Sequence, residues 1–176
     1  MKRTICFALF GLLSLSRPLS AASEIEFDEP APWKESPQAL PDYPQQDDLI
    51  EFKIDGPDAD FEYRIDSKSL VLSEDGVVRY TLVLTSSSGV TNVLREGLRC
   101  STKEYKTYGY GTADHKLEPL NETDWKKITN SGPARFRSDL LNYYLCDAFR
   151  IPQQPDRIVE RLKHPPNLSS TYSPEL

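Results

Sequence analysis

Over positions 50–55, and again over 61–66, apolar and polar residues alternate one for one. Ile50, Phe52 and Ile54 are interleaved with Glu51, Lys53 and Asp55, and Phe61, Tyr63 and Ile65 with Glu62, Arg64 and Asp66. Successive side chains of a strand point to opposite sides, so a period of two predicts strands with one dry and one wet face. Residues 70–73, the turn Glu74-Asp75-Gly76 and residues 77–85 predict a hairpin, because Gly after Asp supplies the left-handed backbone of a tight turn. Ser86-Ser87-Ser88-Gly89 turns the chain again into 90–99, and a β-prone run at 103–110 follows. The expected sheet is an antiparallel meander of about five or six strands.

The period then lengthens. Thr123 is placed to cap a short helical turn over 124–128, and Ser131-Gly132-Pro133 opens a helix expected over 134–149, with Pro152 as its stop. On that helix Phe136, Leu140, Leu141, Tyr144, Leu145 and Ala148 share one apolar arc, suited to covering the dry face of the sheet. Ile158, Val159 and Leu162 mark one more short helix. The pattern predicts an α+β domain in which one main C-terminal helix packs a meander sheet.

Proline divides the chain. Residues 23–48 hold five prolines and 152–176 five more, against three in the 103 residues between. Proline removes a backbone donor and interrupts periodic structure, so the flanks read as arms and 49–151 as the domain. The N-terminal arm carries eight acids and one base, Lys34. Such a segment is usually solvated; docking to a basic partner is the sharper reading, and Trp33, Leu40 and Tyr43 are the residues able to pin it to the domain. Residues 1–22 read as a cleaved export signal. Lys2 and Arg3 precede an apolar run too short to span a bilayer, and Ser20 and Ala22 supply the small residues of a cleavage site. Cys6 lies inside that run, and no lipid-attachment box precedes it. The expected address is the periplasm, with cleavage near Ala22 and no membrane anchor afterwards.

Cleavage leaves two cysteines, Cys100 and Cys146, and a net charge of −9. In an oxidising compartment two cysteines most simply pair, and neither sits in a CxxC or beside a histidine, as a reactive or metal-binding thiol would. Cys146, on the flank of the helical arc, is placed to reach Cys100 at a strand end. The acidic balance argues against a nucleic-acid binder, which needs clustered Lys and Arg.

Catalytic patterns are sparse. GxSxG, HExxH, the P-loop and GxGxxG are absent, and the histidines are His115 and His164 only. His115 follows Asp114 and with one of Ser86 to Ser88 offers the elements of a hydrolase triad, although adjacent residues on a strand point apart. Asp55, Asp58, Asp60 and Glu62 surround Gly56-Pro57. This run reads as a turn before it reads as a calcium site, since its spacing is not that of an EF-hand. Tyr105, Tyr108 and Tyr110, interleaved with Lys103 and Lys106, suggest an aromatic platform for a glycan or peptide. Cross-strand pairing explains such residues equally, and regular alternation would put Tyr108 and Tyr110 on one face and Tyr105 on the other. Glu96-Gly97-Leu98-Arg99 reads as a salt-bridged strand with a bulge at Gly97. Trp125 reads as a core or edge anchor.

Arg79-Tyr80-Thr81, Ser88-Gly89, Asn92-Val93, Glu96-Gly97-Leu98-Arg99-Cys100, Lys106, Tyr108, Trp125 and Cys146 together resemble the cryptic neisserial protein-like family of secreted bacterial proteins, with Leu40-Pro41-Asp42-Tyr43-Pro44 as a similar lead-in. The resemblance covers roughly 33–148 and includes both cysteines. It implies fold and address and carries over no catalytic residue. No cofactor and no metal are expected. The expected function is that of an envelope interaction or binding module whose partner is an envelope protein. A small periplasmic hydrolase and a glycan- or peptide-binding module using the region from Tyr105 to Tyr110 are the alternatives.

Overall fold

The computed structural model describes residues 31–55, 61–121 and 123–165; residues 1–22, expected to be an export signal, and Asp58 and Asp60 of the acidic run lie outside them. From Trp33 onward the described chain forms one compact unit. A 3-10 turn at Gln46–Asp48 leads into β1 (Leu49–Phe52), and β2 (Phe61–Leu72), β3 (Val77–Ser86), β4 (Thr91–Arg99), β5 (Glu104–Gly111) and β6 (Leu117–Pro119) follow in an antiparallel sheet whose spatial order is the chain order. β7 (Lys126–Lys127) pairs with the start of β5, at Glu104 and Tyr105. The turns form where the Gly residues demand them: Gly76 (φ 76°) and Gly89 (φ 84°) close the hairpins flanking β3.

β3 is buried on both sides as far as Val83. Its even positions Val78, Tyr80 and Leu82 join Phe52, Tyr63, Ile65 and Leu98 in the main core. Phe136, Leu140, Leu141, Tyr144 and Leu145 cover them, together with Ile158 and Leu162 of α2 (Pro155–Lys163). A fully buried side chain of this size contributes about 1.5–3 kcal/mol. The odd positions Val77, Arg79, Thr81 and Val83 form the second face, roofed by residues 33–45. Leu40 and Tyr43 lie so near β5 that a Cβ on Gly109 would stand 3.2 Å from Leu40 Cδ2, and one on Gly111 2.9 Å from Tyr43 Cε2.

The helix expected over 134–149 is shorter and of two kinds. α1 (Phe136–Asp139) passes into a π-helical stretch, Leu140–Leu145, and Cys146 is already extended (φ −121°, ψ 160°). The wider π turn buries Leu140, Leu141, Tyr144 and Leu145 together. Beyond it Cys146 bridges to Pro152, and the Asp147 carboxylate accepts hydrogen bonds from the backbone N–H groups of Phe149 and Ile151, competing with helical bonding. The helical turn expected over 124–128 is instead β7: five residues are too few to nucleate a helix against available strand pairing. The disulfide between Cys100 and Cys146, with Cα atoms 5.8 Å apart, ties the end of β4 to the end of the π-helical stretch.

Candidate functional site

The two faces of the sheet treat their polar residues differently. On the core face the Glu96 carboxylate is fully buried and accepts four hydrogen bonds: from Tyr80 Oη (3.1 Å), Thr107 Oγ1 (3.2 Å), Arg137 Nε (3.0 Å) and Arg137 Nη2 (2.5 Å). The Arg137 guanidinium in turn lies 4.1 Å from the centre of the Tyr105 ring. Burial, and then the neighbouring carboxylate, push the Tyr80 hydroxyl well above its ordinary pKa. Both carboxylate oxygens are engaged, and the network orients α1 on the sheet.

On the second face a groove runs beneath residues 33–36. The Glu35 carboxylate accepts from Tyr108 Oη (2.7 Å), Lys106 Nζ (3.0 Å) and Trp125 Nε1 (3.3 Å), with Arg79 Nη2 at 3.9 Å. Burial works to raise its pKa, but these donors outweigh it and hold the group below the ordinary value. The indole of Trp33 stacks on the Arg99 guanidinium at 3.7 Å and meets the Trp125 ring edge-on at 5.9 Å. The Asp75–Arg79 pair, bidentate at 3.0 and 2.7 Å, grips the backbone at Ser36: its N–H donates to Asp75 Oδ2 (2.8 Å), and its carbonyl accepts from Arg79 Nη2 (3.3 Å). Beside them Arg95, 3% exposed, donates to the Ser69 carbonyl (2.9 Å) and is offset by the charge of the buried Asp66 carboxylate without a direct ion pair among the described residues. Burial, and then the Arg79 charge, lower its pKa to about 10.

The three tyrosines do not share a surface. In β5 the register jumps from Glu96↔Thr107 to Arg95↔Gly109, so Tyr108 is the extra residue of a bulge. That reverses the expected alternation: Tyr108 joins Lys106 in the groove, while Tyr105 and Tyr110 take the opposite face. The bulge expected at Gly97 is therefore in the neighbouring strand. Gly97 stays in register opposite Lys106, and its missing side chain leaves room for Tyr108, whose Cε2 would lie 2.7 Å from a Cβ there. Glu96 and Arg99 do not pair, because positions three apart on a strand face opposite ways. Arg99 binds Glu104 (3.3 Å) instead. Trp125 is half-buried at the groove.

His115 is exposed, at φ 56°, with its ring 5.1 Å from that of Tyr43. The Asp114 carboxylate is engaged by Lys116 and the Thr112 hydroxyl. Among the described residues no group of three His, Cys, Asp or Glu is placed to hold a metal, and no helix is long and apolar enough to cross a membrane.

Sequence reasoning passed over Glu35, Asp75, Arg95 and Arg137. The signal for Arg79 and Arg95 was present: charges at positions of an apolar strand run that point inward mark a covered second face. It also passed over the loop after Cys146, where Phe149 is 85% and Ile151 56% exposed. The loop is pinned at its base by the disulfide and the Cys146↔Pro152 bridge, and within by Asp147. Arg150 Nη1 further donates to Asn142 Oδ1 (2.8 Å), and Arg161 Nη1 to the Cys146 carbonyl (3.0 Å).

In comparison with known proteins, the profile of the CNP1-like family matches residues 28–163. The chain is also similar to cryptic neisserial protein 1 of Neisseria gonorrhoeae (strain ATCC 700825 / FA 1090), at 29% identity over 127 residues, covering 64% of this chain and 59% of that protein. The chain thus spans about three fifths of the curated relative it matches. No solved structure matches.

Proposed function

The chain belongs to the CNP1-like family, and from that premise we propose that it is exported to the periplasm and acts there as an interaction module for another envelope protein. The observation that carries the reading is the loop after Cys146. Exposed apolar side chains usually lie on mobile or isolated positions, whereas Phe149 and Ile151 stand together on a loop held from four sides. A large aromatic presented on a rigid support loses little entropy on binding and is a typical interface anchor.

A photo-crosslinking amino acid replacing Ala148, in cells that export the chain, is expected to capture a single envelope protein reproducibly. The double substitution F149S/I151S should abolish the capture and leave the melting temperature within a degree or two, since neither side chain contributes to the core. Capture unchanged by that substitution would overturn the assignment of the loop. The mass of the exported protein is expected to match cleavage after Ala22; an uncleaved chain would overturn the address.

A further inference from the structure

We propose that the groove on the second face is a receptor for a partner polypeptide bearing an indole two residues before a carboxylate, and that residues 33–36 of this chain fill it as an internal stand-in. The inference goes beyond the loop reading and uses a different surface. Three observations carry it.

The contacts have the grammar of peptide recognition. Asp75 and Arg79 hold both backbone polar groups of Ser36, a grip indifferent to side chain. Side-chain selectivity comes from two flanking sites: a carboxylate site made of Lys106, Tyr108 and Trp125, and a slot between Arg99 and Trp125 for an indole. All of these partners are 39 or more residues distant in the chain, so local folding does not dictate the docking.

The segment that fills the groove is held by side chains and single backbone hydrogen bonds, not by strand pairing. Residues 33–45 make no strand pairing, and Trp33 remains 41% exposed although its ring is the anchor. Pro37, Pro41 and Pro44 keep the connection to β1 extended, which limits the entropy cost of both docking and release.

The receptor is cationic without its occupant. Arg79 is balanced by Asp75 and Arg95 is offset by the buried Asp66 carboxylate, but Lys106 has Glu35 as its carboxylate partner. Nε of Arg79 and Nε of Arg95 are both buried without a hydrogen-bond partner among the described residues. Removing Glu35 thus leaves excess positive charge under a low-dielectric roof, which favours a replacement carboxylate over water.

The test uses the full chain carrying W33A/E35A and a dye-labelled peptide Ala-Pro-Trp-Lys-Glu-Ser-Pro, read by fluorescence anisotropy. The peptide is expected to bind that variant at least tenfold more tightly than the unaltered chain, whose own segment competes. Peptides with Ala for the Trp or Gln for the Glu should bind at least tenfold more weakly. Equal binding of all three peptides, or none to a folded variant, would overturn the proposal. Should the variant fail to fold, the unaltered chain titrated with excess peptide decides: amide exchange at Ser36 should accelerate at least tenfold as the segment is displaced, and an unchanged rate overturns the proposal. Mixing isotopically labelled and unlabelled copies is the remaining arm. Absence of exchange of the segment between copies agrees with a foreign partner, and a stable exchanged dimer would overturn that source. F149S/I151S should leave peptide binding unchanged, so this result and the crosslinking result stand or fall separately.

Discussion

Glu96 is the residue on which most of the internal electrostatics turns. Four donors satisfy its carboxylate, and both it and Arg137 are shielded from solvent. Breaking one side of such a pair leaves the other charge buried and uncompensated, which costs about 3–5 kcal/mol. E96A is therefore expected to lower unfolding free energy by about that amount in urea titration, and adding R137L should restore part of it. Gly97 is sensitive for a steric reason. G97A places a methyl 2.7 Å from the Tyr108 ring and 2.8 Å from Val77 Cγ1, both in packed surroundings, and is expected to cost about 1–3 kcal/mol. At this scale much was hidden. The string Glu96-Gly97-Leu98-Arg99 looks like an internal ion pair until the strand's alternation sends Glu96 to Arg137 and Arg99 to Glu104. Nothing near Glu96 in sequence announces a partner 41 residues away.

Among the elements, the strands were legible because alternation and turn chemistry are local. The pairing Val77↔Arg99 through Thr85↔Thr91 follows from the Ser86–Gly89 turn and the lengths of the two runs. The helix was misjudged in length because its apolar arc continues to Ala148, whereas the chain is turned out at Cys146 by the disulfide and by the Asp147 side chain. That bridge closes a separation of 46 residues, worth about 4 kcal/mol in the chain-entropy treatment. Reducing it is expected to lower the urea midpoint accordingly. Because the link also anchors the loop carrying Phe149, reduction should weaken envelope crosslinking before the protein unfolds. The Tyr108 bulge was unreadable for a different reason: an inserted residue leaves no compositional mark, yet it reverses every side chain beyond it.

For the molecule as a whole, the sheet has two covered faces, one apolar and packed by helices, the other polar and roofed by residues 33–45. The roof is held by carboxylates, which makes it sensitive to acid. Glu35 and Asp75 both titrate below their ordinary values of 4.5 and 3.8 in the folded chain; burial opposes this, but hydrogen bonds from Tyr108 and Lys106, and from Arg79 and the Ser36 amide, prevail. For a depressed carboxylate the stabilisation is complete above the unfolded value and disappears as pH falls through the folded one. The roof is expected to hold above about pH 4.5 and to loosen progressively as pH falls through the depressed folded values of these two carboxylates. Trp33 fluorescence, in a W125F background, should report this while far-UV circular dichroism is still native. E35Q should remove much of the pH dependence.

The sequence alone determined what depends on near neighbours. The α+β class, the meander order, the hairpin turns and α2 all follow from periodicity and from Gly, Pro and Asp at particular steps, since local sterics act over a few residues. The Cys100–Cys146 pairing is expected once residues 1–22 are read as a signal that carries Cys6 away, and the two cysteines are joined in the structure. Only tertiary structure decided which charges meet. The union of Glu35 with Lys106, Tyr108 and Trp125, the burial of Arg95 beside Arg79 and Asp66, and the presentation of Phe149 each depend on segments far apart in the chain. Electrostatic and packing energies act through space, and their effects appear only once the fold has brought the groups together.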